Sequence, residues 1–312
     1  MTTTPVLAST REELADLLAP ARRAGDRVAF VPTMGALHEG HASLVRVARD
    51  ATTGPVVVSI FVNPMQFAPG EDLDRYPRTL DADLEVCAAE GVDVVFAPSV
   101  EEMYPGGFSH ESVQGGVTVA PGGLATILDG ESRPGHFGGV LTVVAKLFGL
   151  VRPDVAVLGQ KDYQQLVLVR RMVRDLCMGV EVVGAETVRE PDGLALSSRN
   201  RFLDAGQREV AATLSRALRA AQERAAYGVP AARWAAMSVL KAEPGLELDY
   251  LALTSADLGE APETGEGRIL VAARVGSTRL IDNLPIQFDR TTPDLTTAGT
   301  ANAASTTSER SS

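Results

Sequence analysis

The chain has 312 residues and few of those that would mark a disulfide-rich, membrane-spanning or nucleic-acid-binding protein. Its two cysteines lie far apart and form no disulfide framework, which is compatible with a reducing cytoplasm. No apolar run reaches membrane-spanning length, and the N-terminus lacks the basic and apolar regions of a signal peptide. Net charge is −11, from 29 basic and 40 acidic residues, which argues against a broad surface for nucleic acid. We therefore expect a cytoplasmic globular protein with no membrane or nucleic-acid partner.

Histidine is scarce as well, yet two of the four histidines, His38 and His41, lie three residues apart. They belong to the stretch Pro-Thr-Met-Gly-Ala-Leu-His-Glu-Gly-His at 32–41. An apolar run at 28–31 predicts a buried strand before it, and a helical pattern begins near His41. The N-terminus of a helix offers unpaired N–H groups and the positive end of a dipole, and glycines allow close approach of a ligand. The stretch therefore suits a nucleotide triphosphate.

Other interpretations of this spacing stay open. Two histidines three apart are also found as helix caps, as surface pairs and as half of a zinc site. A zinc site would need further ligands at metal spacing, and a zincin helix needs its histidines four apart with a glutamate directly after the first. The placement between a strand and a helix favours nucleotide binding, although the spacing alone is a weak signal.

The first part of the chain alternates strands with helices, which predicts an α/β fold with a doubly wound, Rossmann-like, mostly parallel sheet. A capping box at 10–13 predicts the start of a first helix. The predicted strands lie at 28–31, 56–62, 92–97, 155–158 and 180–183, and the later helices at 79–90, 138–150 and 162–177. In the last of these helices, the candidate core positions are Leu166, Val169, Met172, Val173 and Leu176. Polar clusters follow three of the strands, at the sheet edge where such folds bind ligands.

The pattern changes after Arg199 to that of a smaller α+β domain. Helices are predicted at 207–227 and 231–240, and strands at 248–253, 269–275 and 279–284 with a hairpin turn at 275–278. We predict a Rossmann-like domain at 1–189, a smaller α+β lid domain at 190–290, and a disordered tail at 291–312. The tail is rich in Thr, Ala and Ser and cannot bury enough apolar surface to offset its ordering entropy.

Five ordered motifs carry a family resemblance. His38-Glu39-Gly40-His41 resembles the His-x-Gly-His element of the nucleotidylyltransferase superfamily, and the longer stretch at 32–41 resembles the pantothenate synthetase (pantoate–β-alanine ligase) family. Segments 59–67, 131–140, 159–165 and 196–200 are similar to that family in the same order. The resemblance covers residues 1 to about 290. It implies ATP-dependent condensation of (R)-pantoate with β-alanine through a pantoyl adenylate, with release of AMP and pyrophosphate, and it implies a homodimer.

The resemblance also implies residue roles. The residues that would act on the triphosphate are His38, His41, Lys161, Ser197, Ser198 and Arg199. The full ATP-binding set would be Met34, Gly35, His38, Gly40, His41, Gly159, Gln160, Lys161, Asp162, Val188, Leu196, Ser197, Ser198 and Arg199. Pantoate and β-alanine would contact Pro32, Thr33, Met34, Asn63, Gln66, Arg133, His136 and Gln165. The chemistry agrees with these roles, since neutral amides suit a hydroxy acid and a lysine suits phosphate. Taken alone, most of these segments would be ordinary polar loops.

One segment departs from the family. Where the family carries adjacent acidic residues implicated in metal binding, this chain has Asp81-Ala82-Asp83. Asp81 and Asp83 are the candidate ligands for Mg²⁺. Magnesium that binds mainly through ATP phosphates needs few protein ligands.

Two other functions are compatible with parts of the pattern. Another adenylate-forming ligase or nucleotidylyltransferase of the superfamily would share the histidines but lack the amide set Asn63, Gln66 and Gln165. A non-catalytic nucleotide-binding regulator would bind ATP without turnover, and no motif residue is lost in a way that favours it.

The composition of the tail generates a first prediction. A chain truncated after Arg290 should keep the melting temperature and the activity of the full chain, because the removed residues supply no core and no motif. Thermal unfolding and turnover of both chains measure this. A clear drop in either quantity would mean that the tail docks on the folded part.

Overall fold

The computed structural model describes residues 4–68, 70–71, 73–108 and 116–289. The tail predicted at 291–312 lies outside these described residues. Within them, no helix is long and apolar enough to cross a membrane.

The first part of the chain forms a six-stranded parallel sheet. In chain order its strands are Val6–Ala8 (β1), Ala29–Thr33 (β2), Val56–Ile60 (β3), Val94–Phe96 (β4), Val155–Gly159 (β5) and Glu181–Ala185 (β6). Their spatial order is β1-β4-β3-β2-β5-β6, and every neighbouring pair is parallel. The predicted α/β fold with a mostly parallel sheet is therefore confirmed.

Helices cover both faces of this sheet. They are Arg11–Ala24 (α1), Glu39–Ala51 (α2), Leu80–Ala89 (α3), Val100–Met103 (α4), Asp129–Ser132 (α5), His136–Val151 (α6) and Tyr163–Asp175 (α7). Val57 of β3 packs into one apolar cluster with α1, α6 and α7, whereas Val56 and Val58 pack into another with α2. The continuous β-branched run of β3 is thus explained by burial on both faces.

The second part of the chain forms a smaller module with its own apolar core. Its helices are Ala205–Ala211 (α8), Thr213–Arg224 (α9) and Val229–Lys241 (α10), and its strands are Leu246–Ser255 (β7), Gly265–Val275 (β8) and Thr278–Phe288 (β9). The three strands form an antiparallel sheet in the order β7-β8-β9. The predicted α+β module and its hairpin turn are present, with Gly276 at φ +57° in the turn. The domain boundary at 189/190 stays a prediction.

Three sequence-based element predictions need correction. Leu176 is 56% exposed, because α7 ends at Asp175 and Cys177 follows with a positive φ of 52°. The helix predicted at 207–227 is two helices that meet at Ala212. Strand β1 was not predicted, because it has only three residues and pairs only with β4 at the edge of the sheet. The capping box at Thr10 and Glu13 is confirmed.

Candidate active site

The loops after β2, β3 and β5 meet at the carboxyl edge of the sheet, where they enclose a cavity of ≈ 240 Å³. Strand β2 lies between β3 and β5, and the order of the strands reverses there, which is where doubly wound folds bind ligands. The cavity opens into a wider cleft of ≈ 440 Å³ between the sheet and the small module. Lys161, Ser197 and Arg199 line both spaces.

Most of the residues predicted from the sequence line this cavity. They are Pro32, Thr33, Met34, His38, Gly40, His41, Asn63, Gln66, Arg133, His136, Gly159, Lys161, Asp162, Gln165, Val188, Leu196, Ser197, Ser198 and Arg199. Four predicted residues do not line it: Gly35, Gln160, Asp81 and Asp83.

The loop between β2 and α2 is held by Asp83, whose side chain is 1% exposed. Its carboxylate accepts hydrogen bonds from the backbone N–H groups of Ala36 (3.1 Å) and Leu37 (2.7 Å) and from the hydroxyl of Thr79 (3.2 Å). Gly35 has φ +83°, and a Cβ there would lie 2.9 Å from Asp83 Oδ2. Gly35 is therefore needed for the shape of the loop, and it lies behind the cavity wall.

These contacts correct the predicted metal site. The carboxylate of Asp83 already binds two backbone amides and a hydroxyl, and Asp81 is exposed on the first turn of α3. Among the described residues, no group of three or more His, Cys, Asp or Glu side chains could hold a metal ion. Asp83 acts instead as a buried anchor for the loop that leads to the histidines.

His38 and His41 cap the N-terminus of α2 reciprocally. His38 Nδ1 accepts a hydrogen bond from the N–H of Gly40 (3.1 Å), and His41 Nδ1 accepts one from the N–H of His38 (3.3 Å). The ring centroids lie 4.2 Å apart. Gly40 permits this arrangement, since a Cβ there would lie 2.8 Å from the His38 ring. The capping interpretation of the pair is thus confirmed, and nucleotide binding by the same two rings stays a prediction.

The hydrogen bonds determine where the protons lie. Because each Nδ1 accepts from a backbone N–H, a neutral ring carries its proton on Nε2. Burial, followed by the charges of Lys161 and Arg201, lowers the pKa of His38. Burial and the neighbouring His38 lower the pKa of His41 to about 3. Near neutral pH both rings are therefore neutral donors rather than cations.

The amide pair after β3 is arranged by Asn63, which is 1% exposed. Asn63 Oδ1 accepts from the Tyr104 hydroxyl (2.8 Å) and the Met65 N–H (3.3 Å), and Nδ2 donates to Gln66 Oε1 (3.1 Å) and the Gly139 carbonyl (3.2 Å). Every donor and acceptor of this amide is thus satisfied internally. Gln66 Nε2 contacts the weak acceptor Met34 Sδ (3.0 Å). Gln66 Nε2 could therefore donate a hydrogen bond to a hydroxy acid in the cavity.

The glycine-rich segment before α6 packs against the same turn. A Cβ on Gly139 would lie 2.3 Å from the Met65 carbonyl oxygen, so this glycine allows the backbones to touch. The N-cap residue of α6 is Gly135, which has no side chain to cap the helix. Close packing of the two backbones therefore explains Gly139 of this segment. The anion-binding role that the glycine pattern suggested stays a prediction.

Arg133 and His136 form a network beneath Gln66. Arg133 makes a two-point ion pair with Glu71 (2.9 and 2.7 Å) and donates to His136 Nε2 (3.0 Å) and to the Gln66 carbonyl (3.2 Å). Because the arginine only donates, His136 carries its proton on Nδ1, which donates to the Gln66 carbonyl (2.8 Å). Burial, then Arg133, lowers the pKa of His136 to about 4. Glu71, which the sequence did not single out, holds this network.

Lys161 and Asp162 follow β5 on the side of the cavity that faces the small module. Lys161 Nζ lies 3.5 Å from Asp162 Oδ1, and the lysine side chain is 20% exposed. The desolvation of Asp162, whose side chain is 51% exposed, is outweighed by Lys161 and Arg199, which hold its pKa below the usual value. The cavity therefore contains an ammonium group with an adjacent carboxylate.

The side chain of Gln160 has structural partners, and the predicted contact of this residue with ATP stays a prediction. Its Nε2 donates to the Gly184 carbonyl (2.9 Å), and its Oε1 accepts from Arg268 (3.0 Å), so the side chain ties β6 to the small module. Gln164 is likewise structural, donating to the carbonyls of Leu124 (2.7 Å) and Ile127 (2.8 Å). Of the glutamines in this segment, Gln165 lines the cavity.

The segment with Ser197, Ser198 and Arg199 extends from a short hairpin. The N–H of Leu196 donates to the Val188 carbonyl (3.0 Å), and the N–H of Glu190 donates to the Leu194 carbonyl (2.9 Å). Ser197 caps the following turn by accepting from the Arg199 N–H (3.3 Å). This hairpin brings two hydroxyls and a guanidinium to the cavity that Lys161 also lines.

Further residues, most of them apolar, complete the cavity, and the sequence analysis did not assign them. The additional lining residues are Leu44, Phe61, Phe67, Tyr76, Val140, Val143, Val144, Leu147, Leu158, Glu186 and Thr187. Four of them share one face of α6 at spacing i, i+3, i+4, i+7. That spacing is also what a core stripe has, so the sequence offered no signal that would separate wall from core.

Comparison with known proteins agrees with this geometry. The family described as Pantoate-beta-alanine ligase matches residues 6–285. The chain belongs to the pantoate–β-alanine ligase family. A curated relative, the pantothenate synthetase of Nocardioides sp., is 66% identical over 297 residues, covering 92% of this chain and 87% of the relative. The pantothenate synthetase of Nocardia farcinica is 58% identical over 265 residues, covering 85% and 81%.

Solved structures of the family have the same fold. A pantothenate synthetase from Thermus thermophilus matches with a TM-score of 0.81 at 49% identity, covering 89% of this chain and 98% of that one. A pantoate–β-alanine ligase from Francisella tularensis matches with a TM-score of 0.73 at 34% identity, covering 90% and 97%. The second structure is a complex with Beta-gamma ATP and β-alanine.

The proton placement generates a prediction on stability. His41 has a folded-state pKa of about 3, well below the unfolded value of about 6.5, so the unfolded state binds more protons between these values. The contribution of the neutral ring to the free energy of unfolding is therefore fully present above pH 6.5, and it is lost as the pH falls toward 3. We expect the free energy of unfolding to drop by about 1 kcal/mol for this histidine between pH 7.5 and 5.5.

The matched variant is His41→Asn, since the asparagine Oδ1 can accept the His38 N–H without titrating. Urea unfolding across this pH range should show a shallower loss for the variant than for the wild type. Identical slopes for the two proteins would contradict the assignment of a neutral, desolvated His41.

Proposed function

We propose that this chain is an ATP-dependent pantoate–β-alanine ligase that works through a pantoyl adenylate. In the first step a pantoate carboxylate oxygen attacks the α-phosphorus of ATP, and the bond from that phosphorus to the bridging oxygen of the β-phosphate breaks. Pyrophosphate leaves. In the second step the free amine of β-alanine attacks the acyl carbon, AMP leaves, and the nitrogen loses a proton to give pantothenate. No covalent enzyme intermediate is needed: Cys87 is buried, and burial raises its thiol pKa to about 12.

The observation that carries this proposal is the convergence of two kinds of polar group on one cavity. One side holds neutral histidine donors, Lys161 and the Ser197–Arg199 turn, all donors to phosphate oxygens. The other side holds the amides of Gln66 and Gln165 beside an apolar wall, which suits a branched hydroxy acid. Family membership adds independent support.

For adenylation we assign charge stabilisation to His38, His41 and Lys161. Negative charge moves onto the leaving pyrophosphate in the transition state, and preorganised donors stabilise it without rearrangement. Because the two imidazole rings are neutral, their Nε2–H groups can donate to phosphate oxygens without forming an ion pair with a carboxylate such as that of Asp162. The helix N-terminus that these histidines cap adds the positive end of its dipole.

For pantoate we assign recognition to Gln66 and Gln165, with the other predicted contacts as walls. Asn63 has no spare donor or acceptor, so it acts through Gln66, whose Oε1 it fixes. Arg133 and His136 both bind the Gln66 carbonyl and so orient this residue from below. The valines of α6 would pack against the methyl groups of pantoate.

Magnesium, if it takes part, would enter with ATP and be held mainly by phosphate oxygens, as this ion commonly is. Asp162 is a carboxylate of the cavity that lies beside Lys161. A homodimer and a cytoplasmic location remain predictions from the family resemblance and the composition. Sedimentation of the purified chain tests the first.

The experiment that tests the function measures pyrophosphate release from ATP with pantoate, first without and then with β-alanine. We expect a pantoate-dependent burst near one equivalent of enzyme without β-alanine, and steady turnover with it. Another ligase of the superfamily would show neither dependence, and a nucleotide-binding regulator would bind ATP without releasing pyrophosphate.

His41→Asn separates catalysis from capping. The variant keeps an acceptor for the His38 N–H but loses the Nε2–H donor, so adenylation should slow by ~10²–10³-fold, as loss of one transition-state donor does. Single-turnover formation of pantoyl adenylate measures the effect. A rate near that of the wild type would remove His41 from the catalytic set.

Gln66→Ala tests the division between the two substrates. Removal of the Gln66 amide should weaken pantoate binding by at least ~10-fold, because a buried hydrogen bond to a charged group is lost. The affinity for ATP should change little. Lys161→Met is the reciprocal control, expected to weaken ATP and spare pantoate. Equal losses of both ligands in calorimetric titrations of Gln66→Ala would rule out the proposed division.

A further inference from the structure

Two adjacent polar residues of β9, Asp282 and Asn283, are buried where the small module meets the sheet, with 3% and 2% exposure. Asn283 Nδ2 donates to two consecutive backbone carbonyls, those of Gln160 and Lys161, each at 2.9 Å. Buried polar groups are costly unless they are bonded, so this amide has one well-defined arrangement. It holds the backbone of the lysine that we assign to phosphate.

Arg268 of β8 completes this side of the junction. Its Nε donates to Asn283 Oδ1 (2.8 Å) and its Nη2 to Gln160 Oε1 (3.0 Å). The guanidinium carbon lies 4.0 Å from the centroid of the Tyr163 ring, in cation–π geometry. Tyr163 in turn donates from its hydroxyl to the Ala256 carbonyl (2.7 Å). The segment around Lys161 is therefore fastened to the small module at several points.

Asp282 holds the hairpin that leads to the Ser197–Arg199 turn. It forms a two-point ion pair with Arg189 (2.7 and 2.9 Å), and both side chains are largely buried. Arg189 also donates to the carbonyls of Gly193 (3.0 Å) and Asn283 (3.3 Å). Arg189 and Gly193 belong to the hairpin that leads into Ser197.

We propose that Asp282 and Asn283 are positioning residues that set the spacing between Lys161 and the Ser197–Arg199 turn. One dipeptide contacts the supports of both groups, and neither of its side chains is assigned to a substrate. Directional hydrogen bonds and a two-point ion pair define this spacing better than apolar packing would. The proposal rests on the proposed function, since it gives those two groups the triphosphate as their common ligand.

The test compares the two half-reactions. Lys161 and the turn act on the triphosphate, which is gone once pyrophosphate has left. Asn283→Ala and the isosteric Asp282→Asn should therefore slow adenylation by ~10–100-fold, as a misplacement of about 1 Å does. The KM for ATP should rise in the same variants. Aminolysis of preformed pantoyl adenylate by β-alanine should stay within about two-fold of the wild type, because only the triphosphate contacts have changed.

Thr254→Ala is the matched control, because Thr254 is a buried polar residue of the same small module whose hydroxyl donates to the Ser255 carbonyl (2.9 Å). It should change neither half-reaction. A double-mutant cycle then tests whether Asn283 acts through Lys161. In a Lys161→Ala background, Asn283→Ala should slow adenylation by less than about three-fold, since coupled residues are not additive.

Each outcome is decisive. An equal slowing of both half-reactions, no slowing, or full additivity with Lys161→Ala would overturn the positioning role. If Asn283→Ala does not fold, as judged by circular dichroism, Asp282→Asn carries the comparison. Absence of pantoate-dependent pyrophosphate release by the wild type would instead refute the proposed function, and it would be seen before any variant is made.

Discussion

The reciprocal capping of α2 by His38 and His41 is the interaction on which the account of this site depends. Each Nδ1 accepts a backbone N–H, so each neutral ring keeps its proton on Nε2. Burial lowers the pKa of both rings. Helix capping and the proposed phosphate recognition would therefore use one arrangement: the hydrogen bonds that cap the helix also choose the tautomer whose Nε2–H can donate. Gly40 has no room for a side chain because the His38 ring occupies that space.

Several buried polar groups hold the surrounding loops so that the donors converge. Asp83 binds the backbone before the histidines, Asn63 fixes Gln66, and Glu71 holds Arg133 beneath it. From the small module, Asn283 binds the backbone of Lys161. These contacts bear on the predicted lid. The module is attached beside Lys161 by buried hydrogen bonds, so separation there would expose unpaired groups at considerable cost. Any closure would have to hinge about this junction.

The sequence predicted the parallel sheet and the small module because periodicity reports burial. It predicted most of the cavity lining because the family resemblance assigned roles to motifs that follow the strand ends. It could not separate residues that face the ligand from their supports. Gln160 and Gln165 look alike in the sequence, yet Gln160 bridges β6 and Arg268. Asp83 was a candidate metal ligand through the family resemblance, and its backbone partners Ala36 and Leu37 leave no mark in a sequence. Asp282 and Asn283 were missed because the partners that tie them to the cavity, Arg189 and the carbonyls of Gln160 and Lys161, lie more than ninety residues away along the chain.

The most direct test of the central claim is a ¹⁵N–¹H correlation spectrum of the imidazole rings, recorded from pH 8 to pH 5 and assigned with single His→Asn variants. We predict that His38 and His41 remain neutral with the proton on Nε2 around neutral pH, and that His41 stays so down to pH 5. His136 should be neutral with its proton on Nδ1, because that atom donates to the Gln66 carbonyl. Protonation of His41 near pH 6.5, or a proton on its Nδ1, would contradict the account.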